Sequence, residues 1–496
     1  MRLFESKRLL GSFYGDKTMR VSGPSISESS VRGHHTRSDQ EQTELNVDFV
    51  RQQFPIFSHQ DTPLAFFDNA GGTFVPQQVI EATSEFLSLY KVQPYSSNDA
   101  SQGATTRLEG AIGRMADFIN AKHSEVVLGN STTMNLSMLA QSLRPHFHEG
   151  DEIILTEQEH QSNVTFWQRL AEETGAKVVT WPIDGESGQL SLEVFSEQCL
   201  SEKTKLCCVT HSSNIVGTVN PIKTIAEKVH AVGGWILVDG VSYAPHHCVD
   251  VQALGVDFYV LSLYKIFSTH LGLLYVKESL HNLLENQNLT PLPSAYGCAP
   301  QGGQQQNNAM TCAPNYLRIA LNPGMTNPEL AASMLGMCEY FLLLYQHHFP
   351  QEVAIPLSEL SSEAFRHRVE RVFTLIERYE TELSKKFLAY IKDSTLNSMG
   401  LRLIGLSITD SSRRSPTFSF RLPERWNGKV LVAQLAEHNI GVSFGSFYAW
   451  DCLQALGLPS EGAVLRVSFS HYNHMSDIER LIEALEVYAS EQLETA

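Results

Sequence analysis

The sequence predicts an α/β protein built on a mostly parallel sheet, with a smaller C-terminal α/β unit. Three observations point there. From about residue 125, short apolar runs alternate with segments of helical periodicity, the rhythm of βαβ units. The runs are nearly continuous in hydrophobicity, as strands covered on both faces are. The chain is 496 residues long, 42% hydrophobic and 9% aromatic, enough for a large core and a second lobe.

Seven runs read as strands of the large sheet: EVVLG, DEIILT, AKVVTWP, TKLCCVTH, WILVDG, DFYVLSL and HLGLLYV, spanning residues 125 to 276. Between them, NLSMLAQSL, VTFWQRLAEETG and PIKTIAEKVHAVGG read as helices, the last two closing on glycine. Residues 281–315, rich in Gln, Gly, Pro and Asn, read as a long surface loop. A helical tract is expected from about 328 to 393. After it come the strands SPTFSFRL and AVLRVSFS and a final helix, SDIERLIEALEVYASEQL. The expected domains are a disordered tail (1–44), a large domain (45–325) and a small domain (326–496), with the N-terminal segment joining the small one. No internal repeat is visible.

The first 44 residues are polar, Ser-rich and aperiodic. Arg2, Lys7, Arg8, Lys17 and Arg20 give them a basic bias, but Glu5 and Asp16 count against a targeting peptide. The cytoplasm is the expected compartment, with the mitochondrion as the alternative. A formal net charge of −17 argues against a nucleic-acid surface. No apolar run approaches the roughly 20 residues that span a bilayer. The eight cysteines (Cys199, Cys207, Cys208, Cys248, Cys298, Cys312, Cys338, Cys452) form no CxxC pair and read as reduced, mostly buried thiols.

The chemistry sits at strand ends. WILVDG finishes on Asp239, and DFYVLSLYK carries Ser262, Tyr264 and Lys265. Lysine is rarely placed among buried strands without a partner or a task. An aspartate and a lysine on nearby strand ends fit either a structural ion pair or a pyridoxal phosphate site. In the second case the lysine forms a Schiff base and the aspartate keeps the ring nitrogen protonated. GNSTTMNL follows a strand and opens a helix, so Asn130, Ser131 and Thr132 suit a phosphate. Ser131 and Thr132 are equally suited to capping that helix. His160, after DEIILT, is placed to lie against a planar ring, or to be a structural histidine.

The stretches FFDNAGGTFVPQQV, EHQSNVTFW, THSSNIVGTVNPI, VDGVSYAPHHCVDVQALGVDFYVLSLYK and LRVSFSHYNHMSDIERL together resemble the cysteine desulfurase and selenocysteine lyase group of the class V aminotransferase family. The resemblance runs from about residue 48 to 490. It implies fold type I of the pyridoxal-phosphate-dependent transferases, pyridoxal 5'-phosphate as cofactor, a small amino acid as substrate, and a homodimer with its active site at the subunit interface. Residue by residue, it makes Lys265 the Schiff-base lysine and proton carrier, Asp239 the partner of the pyridine nitrogen, and His160 the residue stacked on the ring. Asn130 and Ser131 match the phosphate-binding pair, with Ser262 and Tyr264 nearby. Asn214 falls near cofactor and substrate, and Arg466 matches the arginine that binds the substrate carboxylate.

The departures are specific. Ser443 stands where persulfide-forming desulfurases carry an arginine, and Tyr448 where they carry the nucleophilic cysteine. Cys452 follows four residues later, either relocated nucleophile or packed thiol. Ser242 replaces a glutamine, Tyr264 a histidine and Met325 a threonine, for which Thr326 is a shifted candidate. His246, His247 and Cys248 in PHHC are too few to close a metal site. The expected activity is therefore cleavage of a C–S or related β bond. An epimerase, an aminotransferase and a non-catalytic scaffold stay open, and a sulfur-acceptor protein is a further open partner.

Overall fold

The computed structural model describes residues 44–58, 63–288, 316–458 and 463–494. The chain divides into two units, Met1–Gln42 and Thr43–Ala496. The expected tail lies outside the described residues apart from Glu44, as do Cys298, Cys312 and residues 289–315 of the expected loop. Everything below concerns the second unit.

A short strand β1 (Ala65–Phe66) is followed by β2 (Val126–Gly129), β3 (Glu152–Thr156), β4 (Lys177–Trp181), β5 (Thr204–Thr210), β6 (Trp235–Asp239), β7 (Phe258–Ser262) and β8 (Gly272–Val276). Strands β2 to β8 form one sheet in the order β2-β8-β7-β6-β5-β3-β4. All run the same way except β8, which lies antiparallel between β2 and β7. Strands β7 and β8 are buried along their whole length, and β5 everywhere but Lys205, which is why they read as nearly unbroken apolar runs. Edge strand β4 is largely exposed.

Covering helices include Thr132–Leu143, Thr165–Thr174 and Ile222–Ala231. The second ends at Gly175 with φ +78°, the left-handed cap that glycine adopts without strain. The tract expected over 328–393 is two helices, Pro328–His348 and Ser362–Asp393. Between them stand Pro350 and Pro356, which remove backbone donors and disfavour helix in the residue before each. The second helix, 32 residues or about 48 Å long, joins two cores. Phe365, Val369 and Phe373 pack under the large sheet, while Leu383, Phe387 and Ile391 enter the C-terminal core.

That second core backs a sheet of β9 (Arg402–Ile404), β10 (Thr417–Arg421), β12 (Ser443–Gly445) and β13 (Val464–Ser468). Strand β11 (Ile440–Gly441) pairs with β1 in parallel. Just beyond β1, Asp68 bridges to Ser468. The N-terminal segment is thereby stitched to the C-terminal sheet, and Asp68 is brought beside β13.

Candidate active site

Strands β2 to β7 present their carboxyl ends along one edge, where ligands gather in open α/β sheets. Ser131 and Thr132 follow β2, His160 follows β3 and Asn214 follows β5. Asp239 and Ser262 end β6 and β7, and the next turn carries Tyr264 and Lys265. All of these, together with Ser242, line one cleft. Asn130 is solvent-exposed and stays outside the cleft wall.

One end of the cleft is built from hydroxyls and a helix N-terminus. Ser131 caps the helix Thr132–Leu143, its Oγ accepting from the Met134 N–H at 3.1 Å. Thr132 Oγ1 donates to the Leu261 carbonyl at 2.9 Å and lies 2.7 Å from Ser262 Oγ. Strand β8 passes so close that a Cβ on Gly272 would sit 2.3 Å from Ser131 C and Thr132 N.

At the centre, Asp239 is 4% exposed and accepts the Val241 N–H on Oδ1 at 2.9 Å. Desolvation raises its carboxyl above the usual range, opposed by that bond and by Lys265. Lys265 Nζ has no hydrogen-bond or ion-pair partner among the described residues. Desolvation and the Arg466 charge bring its amine down from 10.5 to about 8, against the pull of Asp239 and Asp68. An amine so placed is still mostly protonated at neutral pH, but far more of it is neutral, hence nucleophilic, than of an ordinary lysine.

His160 Nδ1 accepts the Ser162 N–H at 3.2 Å, which leaves the ring proton on Nε2. Desolvation, then Lys265 and Arg466, lower it to about 4, so it stays neutral. Beneath it, buried Glu159 accepts from Thr156 Oγ1 (2.6 Å), the Thr210 N–H (2.7 Å) and Asn163 Nδ2 (2.7 Å). These bonds tie the ends of β3 and β5 together under the histidine. Desolvation raises Glu159 to about 8.

Arg466 is 3% exposed. Its Nη2 donates to Asp68 Oδ1 at 2.9 Å, its Nε has no partner among the described residues, and its guanidinium lies 3.6 Å from the Phe447 ring centroid. Ser443, in the expected arginine position, donates to Asp68 Oδ2 at 2.6 Å. Phe447 and Tyr448 both have left-handed backbones, φ +52° and +56°, a strained conformation for non-glycine residues. Their carbonyls accept from Asn214 Nδ2 (3.0 Å) and the Gln161 N–H (2.7 Å), and the Tyr448 ring lies 5.4 Å from that of His160. The segment in the expected cysteine position is thus pinned to the cleft and carries an exposed tyrosine.

Cys452 lies in the helix Trp450–Ala455, fully buried against Ile215, Val216 and Leu453. Burial, with Glu157 and Asp451 nearby, pushes its thiol up to about 12. Among the described residues no cysteine lines the cleft. Thr326 is buried, its hydroxyl donating to the Leu128 carbonyl at 2.7 Å, while Met325 is exposed at φ +73°. His246 and His247 pair with Glu380 (2.9 Å) and Glu377 (3.2 Å).

Three contributors escaped the sequence reading. His270 lines the cleft and stacks on Tyr264, centroids 4.4 Å apart. Glu159 was visible in EQEHQSN as an acid at a strand end. Asp68, in FFDNAGG, gave no local sign of an arginine partner 398 residues away.

A family model for class-V aminotransferases matches residues 65–290 and 357–481. The chain is 37% identical over 449 residues to a probable cysteine desulfurase of Vibrio cholerae, across 89% of this chain and 98% of that one. It is 30% identical over 450 residues to the aminotransferase-like protein FGM3 of Gibberella zeae, across 89% and 98%. The solved cysteine desulfurase of Thermococcus onnurineus shares its fold, with a TM-score of 0.71 over 90% of this chain and 98% of that one, at 24% identity.

Proposed function

The chain belongs to the class V aminotransferase family, and we propose that it is a pyridoxal-phosphate-dependent, cysteine desulfurase-like enzyme that cleaves a C–S or related β bond of a small amino acid. The observation that carries this reading is Lys265: an amine without a partner among the described residues, facing Asp239 in a cleft whose far end is a hydroxyl-lined helix N-terminus.

Those residues fit the cofactor. Ser131, Thr132 and Ser262 would hold its phosphate, Asp239 its ring nitrogen and His160 one face of its ring, with Ser242 and Asn214 beside it. Bound there, the cofactor supplies an electron sink for charge developing at the substrate α-carbon. Lys265, with its amine near 8, takes the α-proton and returns it. Arg466, with Nε unpaired among the described residues, offers a donor to the substrate carboxylate, and Phe447 fixes the plane of the guanidinium.

The buried state of Cys452 supports a route that stores no sulfur on this residue. We extend the proposal to a homodimer. Ile80, Leu87, Leu89 and Val92 are exposed on and just after the helix Gln77–Leu89, apolar surface that a second copy would cover.

The test supplies L-cysteine to the purified protein and to Cys452→Ala, and measures sulfide, alanine and pyruvate. C–S cleavage by both proteins is expected. Cofactor bound without any C–S cleavage sinks the β-bond reading and leaves an epimerase or aminotransferase.

A further inference from the structure

The cleft wall carries three basic side chains: Lys265, His160 and His270. The first two have work at its centre. His270 does not, and its position follows from the topology. Strand β8 alone runs against its neighbours, so its amino end lies among the carboxyl ends of the others. Gly272, the first residue of β8, backs directly onto the Ser131–Thr132 backbone. His270 is two residues upstream, in a tight turn where the Leu271 N–H donates to the Thr269 carbonyl at 2.9 Å; it is within about 7 Å along the chain of that contact and therefore stands at the hydroxyl end of the cleft. Its ring is stacked on Tyr264 at 4.4 Å and 15°. It is solvent-exposed, and neither ring nitrogen has a hydrogen-bond partner among the described residues.

Resting on the cofactor reading above, we propose that His270 is a phosphate ligand in this cleft, its imidazole N–H donating to the phosphate monoester that Ser131, Thr132 and the helix N-terminus receive. The hydroxyls and backbone N–H groups there supply neutral donors, whereas a dianion is held more firmly when one donor belongs to a side chain able to carry charge. The stack on Tyr264 holds the ring in place, so little freedom is lost on binding.

The test measures binding of pyridoxal 5'-phosphate, and of pyridoxal, which has the same ring and aldehyde but no phosphate, to apoprotein of wild type, His270→Ala and His270→Gln. Absorbance titration gives the affinities, and 31P NMR reports the bound phosphate. A loss of about 10- to 100-fold for pyridoxal 5'-phosphate in His270→Ala is expected, with pyridoxal unchanged, a moved 31P resonance, and partial recovery in His270→Gln, which keeps a donor. Unchanged affinity for the phosphate form overturns the assignment while leaving the cofactor reading intact. Equal weakening of both compounds also overturns it, because His270 would then act through Tyr264 and the ring. If wild type binds neither compound, the cofactor reading falls and this inference falls with it.

Discussion

Arg466 and Asp68, 398 residues apart in sequence, meet through an Nη2–Oδ1 hydrogen bond of 2.9 Å. The bond closes the cleft from the C-terminal sheet, since Arg466 lies on β13 and Asp68 bridges to Ser468 at the end of that strand. It also leaves Arg466 half-satisfied. Among the described residues one counter-ion balances a guanidinium that is 3% exposed, and Nε has no partner. Such a group keeps a donor for the second carboxylate that the proposed function calls for.

Asp68→Asn keeps the shape and removes the charge. Stripping one partner from a buried pair costs about 3–5 kcal/mol, and the partly exposed Asp68 places this case nearer ~2 kcal/mol. Urea denaturation of the variant checks the value. An unchanged midpoint would mean that Arg466 does not depend on Asp68.

Cys452→Ala is expected to lower stability by about 1 kcal/mol through lost packing and to leave turnover in place. In the native protein, with its thiol pushed up to about 12, Cys452 should resist alkylation at neutral pH and react only after unfolding. Mass mapping after iodoacetamide treatment with and without urea reads this directly.

Gly272→Ala places a methyl group against Ser131 C and Thr132 N, both backbone atoms, at 2.3 Å. Strand β8 is paired on both sides and cannot retreat. A stability loss of about 1–3 kcal/mol is expected, together with loss of cofactor retention after gel filtration. Retention equal to wild type would place the phosphate elsewhere.

His160 gives a pH signature. Its folded pKa of about 4 lies below the ordinary 6.5, chiefly through desolvation. Between those values the unfolded chain takes a proton that the folded chain does not, so this contribution is complete above 6.5 and is lost as pH falls toward 4. His160→Asn cannot titrate, so its stability relative to wild type should improve from pH 7 to pH 4.5. A constant difference between the two proteins would contradict the assignment. Chemical denaturation at both pH values measures it.

Much of this architecture was legible in the sequence, because continuous apolar runs and strand-end polar residues are local signals. The seven runs from EVVLG to HLGLLYV are the seven strands of the large sheet. Ser131, Asp239 and Lys265 share a cleft because each follows or ends a strand of that sheet. What escaped was non-local. Nothing in STHLG tells that β8 runs antiparallel and returns His270 to the hydroxyl end. Nothing near Asp68 announces Arg466. The left-handed backbones of Phe447 and Tyr448 go with bonds from Asn214 and Gln161 to their carbonyls and are not signalled by their own residue types.

The most direct test of the account is borohydride reduction of the purified protein followed by peptide mass mapping. A phosphopyridoxyl group on the peptide carrying Lys265, absent from Lys265→Ala, is the predicted result. The same group on another lysine, or none at all after the apoprotein is incubated with pyridoxal 5'-phosphate, would contradict the central claim.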